Sequence, residues 1–63
     1  MVTYKIGDSV MFSTPKGTVK VGVIKDVKSV LHFDEYEDVY TVEIETGKIY
    51  YIDHNRIINK VQQ

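Results

Sequence analysis

Short alternations of apolar and polar residues, broken by glycine, proline or runs of acid, occupy almost the whole chain. From Ser9 to Ser13, Val10 and Phe12 fall on one side and Ser9, Met11 and Ser13 on the other, the two-residue period of a strand. Lys5-Ile6-Gly7-Asp8 ahead of it predicts a tight turn leading in. Thr14-Pro15-Lys16-Gly17 behind it predicts another, because proline presets φ at its second position and glycine suits its end.

A longer β segment is predicted from Thr18 to Phe33. Val19, Val21 and Val23 alternate with Gly22, Ile24 and Asp26, but Val27 and Val30 cannot both continue the same alternation. Strands usually run about three to ten residues, so this one must bend, and the phase change places a bulge between Lys25 and Ser29. Gly22 suits a point where another strand crosses closely. The acidic run Asp34-Glu35-Tyr36-Glu37-Asp38 predicts a solvated connection. Val39 to Glu45 then alternates cleanly, with Tyr40, Val42 and Ile44 on one face.

Glu45-Thr46-Gly47-Lys48 predicts a hairpin turn, and Ile49 to Ile52 a fourth strand with Tyr50 and Ile52 inward. Asp53 is placed to cap a single helical turn, after which Ile58 to Val61 closes the sheet and Gln62-Gln63 fray. No stretch between Lys5 and Asp53 carries an apolar stripe at helical spacing. Valine, isoleucine, threonine and tyrosine dominate the runs, so the fold class is all-β in a single domain over residues 1–63.

Chain size bears on stability. Sixty-three residues bury a smaller fraction of their surface than a larger domain does, and domains of this size usually lean on a disulfide, a metal or a partner subunit. There is no cysteine, which removes disulfides, zinc–thiolate sites and thiol nucleophiles together. Self-association is then the remaining staple. Eight basic residues against nine acidic ones leave a net charge of −1, without the basic excess that phosphate neutralisation favours. No run approaches the roughly 20 apolar residues of a membrane helix. The opening Met1-Val2-Thr3-Tyr4-Lys5 lacks the apolar core of a signal peptide, so a cytoplasmic location and no membrane association are expected.

The order of strand, turn, long bent strand, hairpin, single helical turn and last strand resembles a five-stranded SH3-like barrel of the KOW and bacterial Tudor-like kind. Ile6-Gly7-Asp8-Ser9-Val10, Gly22 to Val27, Tyr40-Thr41-Val42-Glu43 and the run Gly47 to Ile57 carry the resemblance. It implies a barrel with one short 3-10 turn before the last strand and a binding role rather than a catalytic one. Free-standing chains of this class are common in phages and mobile elements.

Type II trimethoprim-resistant dihydrofolate reductases, tetramers of small barrels around one pore, are also similar. Gly7, Asp8 and Val10 match their Gly-Asp-x-Val start, and Tyr40, Val42 and Glu43 their Tyr-x-Val-Glu strand. Gly47, Lys48, Ile49 and Tyr50 stand where those enzymes carry Val-Gln-Ile-Tyr, so the pore glutamine is missing and the activity is not carried across.

No catalytic, cofactor or metal site is expected. His32 and His54 lie in different elements without a third ligand, no nucleophile elbow surrounds Ser9, Ser13 or Ser29, and the four glycines form no phosphate loop. The chain is therefore expected to be a non-enzymatic binding module, docking a protein partner or its own copies. Met11, Phe33, Tyr36 and Tyr51 are the expected partner-binding residues, and Val39 and Ile49 are further outward apolar positions. Phe33 and Tyr36 with Asp34, Glu35, Glu37 and Asp38 have the residue types of a recess for a cationic side chain. One alternative is a nucleic-acid-binding surface of Lys20, Lys25, Lys28, Lys48 and Arg56. Another is a homo-oligomer with a small-molecule-binding pore.

Overall fold

The computed structural model describes residues 3–61; the expected fraying of Gln62 and Gln63 lies outside them. Five strands form one antiparallel sheet: β1 (Ser9–Ser13), β2 (Val19–His32), β3 (Glu35–Ile44), β4 (Ile49–Asp53) and β5 (Ile57–Lys60), in the order β4-β3-β2-β1-β5. A 3-10 turn, His54–Arg56, precedes the last strand. The all-β class, the five strands and the position of that turn are as the residue pattern predicts.

The three glycine-containing turns have the expected cause. Gly7, Gly17 and Gly47 all sit at positive φ, where a β-carbon would collide with its own backbone. The Gly17 and Gly47 amides donate to the carbonyls of Thr14 and Ile44 at 2.9 Å each. Before β1, the Lys5 amide donates to the Asp8 carboxylate at 2.9 Å, which fixes the lead-in turn.

The core takes side chains from every strand. Val10 and Phe12 of β1, Ile24 of β2, Tyr40 and Val42 of β3, Ile52 of β4 and Ile57 of β5 are buried, with Tyr4, Val27, Ile44 and Tyr50 packed against them. Burial of side chains this size stabilises by about 1.5–3 kcal/mol each. The sheet must curl for its two ends to share one core. β2 permits this by pairing with β1 over Val19–Val23 and with β3 from Gly22 to His32.

The phase change in β2 is a bulge at Lys25. Ile24 faces Val42 and Asp26 faces Thr41, so Lys25 is the extra residue. It moves the inward parity from Gly22 and Ile24 to Val27, which packs against the core opposite Tyr40.

Three expectations are corrected. The acidic run is not a loop: the connection is Phe33 and Asp34 alone, and Glu35 to Asp38 pair with Ser29 to His32 as the first part of β3. A β2 this long supplies a ladder for them, and pairing outweighs the loop preference of their composition. Asp53 occupies the position before the 3-10 turn without a side-chain capping bond, and as the last residue of β4 it pairs with Val39. The closing strand begins at Ile57, because Ile57 faces Phe12 in the core, while Ile58 bulges outward and is exposed.

Candidate functional site

β1 flanks β2 only as far as Val23, and β4 flanks β3 only from Val39 onward. Lys28–His32 and Glu35–Asp38 therefore project past their neighbours as a two-stranded arm. Ser29/Asp38 and Leu31/Tyr36 share the face that Val27/Tyr40 presents to the core, and Lys28/Val39, Val30/Glu37 and His32/Glu35 share the opposite one. The Ser29 hydroxyl donates to Asp38 Oδ1 at 2.9 Å, bracing the two strands.

The turn at the tip is unusual in its residues. Phe33 and Asp34 have φ of 50° and 65°, two left-handed positions in succession, the pattern of a type I′ hairpin turn for which Asn-Gly is the usual occupant. Phe33 is 89% exposed, and its recorded ring contact is with the neighbouring His32 at 4.4 Å between centroids. Leu31 and Tyr36, paired across the arm, are 57% and 75% exposed, and Val30 is exposed as well. The structure thus brings Phe33 and Tyr36 to one end of one hairpin. It adds Val30 and Leu31, which the residue pattern places inside a strand without marking their exposure.

A groove of about 430 Å³ runs along the outer side of β3 in the arm, lined by His32 and the residues from Glu35 to Asp38 together with Thr3, His54 and Asn55. It holds Tyr36 and three of the four acids grouped with it in the sequence, but neither Phe33 nor Asp34. His54 is held by packing and polarity together: its ring lies 5.5 Å from that of Tyr4, and its Nδ1 is 3.2 Å from the Tyr40 hydroxyl. Burial, with the Asp38 carboxylate adding to it, raises the pKa of that hydroxyl above its ordinary value.

The other expected contact residues lie elsewhere. Met11 is half-buried on β1 opposite Val21, and Tyr51 is exposed on β4 opposite Thr41, so β2 and β3 separate them in the sheet. Val19 and Val21 are exposed on the face of Met11. Of the outward positions, Ile49 is exposed and Val39 half-buried.

The cationic residues are dispersed. Lys20 and Lys25 line a second, open groove beside Val21, Val23 and Ile44, but Glu43 and Glu45 line it too. Lys25 Nζ is 3.6 Å from Glu43 across solvent-exposed side chains, a pairing of little energetic value. Lys28 is on the arm, Lys48 stands 5.0 Å above the Tyr50 ring, and Arg56 is in the 3-10 turn.

Among the described residues no three of His, Asp and Glu converge as a metal site would need, and no helix is long and apolar enough to cross a membrane. Set beside known proteins, the chain matches no family model, no curated protein and no solved structure.

Proposed function

We propose that this chain is a non-enzymatic binding module of SH3-like build that docks a protein partner through the tip of its β2–β3 arm. The strand order β4-β3-β2-β1-β5 with a 3-10 turn ahead of the last strand supports the SH3-like reading and its Tudor-like and KOW-like relatives.

The observation that carries the docking role is Phe33. A left-handed backbone at a residue with a β-carbon costs about 1–2 kcal/mol, and an aromatic ring that is 89% exposed, with its contact to the His32 ring, returns little of it to the fold. Asparagine at this position would relieve the strain and give up little beyond the ring contact with His32. A large ring kept there at the chain's own expense has its use outside the chain, where an exposed aromatic beside the exposed Leu31 and Tyr36 forms the centre of a contact. Nucleic-acid binding through Lys20, Lys25, Lys28, Lys48 and Arg56 has weaker support, because Glu43 and Glu45 share the groove of two of those lysines.

Phe33→Asn tests the reading, since it should leave thermal stability equal or higher. With wild type and variant as matched baits, the partner retained by the wild type should be lost from the variant. Light scattering over a range of concentrations then identifies the occupant. A mass that grows for the wild type alone assigns the tip to a second copy, and a constant monomer mass assigns it to another protein. Identical capture and identical mass for the two chains overturn the reading.

A further inference from the structure

We propose that the outer edge of β3, from Glu35 to Asp38, receives an extended basic segment of a partner protein as an added strand. This rests on reading the arm as a binding element, but it concerns the arm's edge rather than its tip.

Among the described residues, the topology leaves this edge open. β4 stops pairing at Asp53, opposite Val39, because the chain turns away through His54–Arg56, and β3 continues four residues beyond that point towards the tip. The ladder fixes which backbone groups are open. Phe33 and Asp34 are the whole of the turn, so His32 and Glu35 close it by exchanging both of their hydrogen bonds, and Val30 and Glu37 do the same one step back. Tyr36 and Asp38 must then direct their N–H and C=O groups away from β2. The parity holds along the strand: on the same side, the Ile44 amide donates to the Lys48 carbonyl at 3.1 Å. Two donors and two acceptors therefore stand in a row where a continuation of β4 would lie.

There is also space for such a strand. The 430 Å³ groove lies along this edge and begins where β4 ends, since His54 and Asn55, the residues after Asp53, line it together with Thr3. β-Strand addition draws affinity from main-chain hydrogen bonds of this kind and specificity from alternate side chains.

Charge selects the occupant. Glu35 and Glu37 share one face of the arm, and Tyr36 and Asp38 the other. The ion pairs recorded among the described residues join Lys25 to Glu43 and Lys60 to Asp8, and involve none of these acids. Lysine or arginine at alternate positions of an added strand would lie directly across from Glu35 and Glu37, the arrangement in which opposite charges stabilise a sheet. The same acids disfavour a second copy adding its own β3 edge, which would set carboxylate against carboxylate. A second copy adding its β2 edge would join head to tail and grow into open chains.

The probe is a short synthetic peptide alternating lysine and valine, labelled for fluorescence anisotropy. Two others accompany it: the same peptide N-methylated on the amides of one edge, and a glutamate–valine counterpart. The lysine–valine peptide should bind the wild-type chain, and N-methylation should weaken it on the order of tenfold, as expected for the loss of main-chain hydrogen bonds. The double variant Glu35→Lys with Glu37→Lys should reverse the preference in favour of the glutamate peptide. Phe33→Asn should bind the lysine peptide as the wild type does, which separates failure at the tip from failure at the edge. Absence of binding, or binding indifferent to N-methylation, overturns the proposal. A mass that grows with concentration while the peptide stays unbound also overturns it, by giving the edge to the β2 of another copy.

Discussion

Gly22 and Val42 meet so closely across the sheet that a β-carbon built on Gly22 would lie 2.6 Å from Val42 Cγ1 and 2.8 Å from the Glu43 carbonyl oxygen. Gly22 is buried and faces inward where β1, β2 and β3 run side by side, so the missing side chain allows the three strands to pack around one core. One of the two colliding atoms is backbone and cannot swing aside.

Gly22→Ala should therefore destabilise the fold by about 1–3 kcal/mol, the usual range for forcing atoms into a packed interior. Urea unfolding followed by far-ultraviolet circular dichroism would measure it. Adding Val42→Ala relieves only the side-chain collision, so the double variant should remain less stable than Val42→Ala alone.

The turn at the tip gives a second, ordered pair. Asp34 is a residue type that tolerates the left-handed region, whereas Phe33 is not. Phe33→Asn should raise stability by about 1 kcal/mol, and Asp34→Gly by less, since glycine also loosens the unfolded chain. Denaturation midpoints of the two single variants check the order. An Asp34→Gly gain larger than that of Phe33→Asn would contradict it.

Asp8 ties the lead-in turn to the last strand. The Lys5 amide, its largest influence, together with Lys60 Nζ at 3.3 Å, holds its carboxyl below the ordinary carboxylate pKa, against a smaller opposing effect of desolvation. A carboxylate depressed in the folded state stabilises above its unfolded pKa of 3.8, and this contribution is lost as pH falls through the lower folded value. Melting temperatures of the wild type and Asp8→Asn should thus differ near neutral pH and converge in acid below that value. A constant gap across the range would show that Asp8 acts through something other than its charge.

Much of this architecture can be read from residue order, and the exceptions share one cause. β1 is fully specified by the alternation from Ser9 to Ser13, and a bulge in β2 is signalled by Val27 and Val30, which cannot both keep one alternation; the structure puts it at Lys25. The first half of β3 is hidden because Glu35, Glu37 and Asp38 have loop preferences, and only the ladder offered by β2 overrides them. The clue was the length of β2: fourteen residues need more partner than a strand starting at Val39 supplies. Phe33 and Tyr36 are legible as candidate contact aromatics from their place in and beside the acidic run. That Val30 and Leu31 accompany them depends on where β1 stops, which no local pattern states.

The extra residue in β2 has a consequence for how the arm is steered. Lys25 shares its place opposite Thr41 with Asp26, so losing it would leave Ile24 facing Val42 and Val27 facing Tyr40. Every side chain further out would stay on its present side. What would change is the extra twist a bulge imparts, and with it the heading on which Phe33 leaves the body of the domain. A one-residue length change there is a route by which related chains could re-point the hairpin at a different target without altering any residue that touches it.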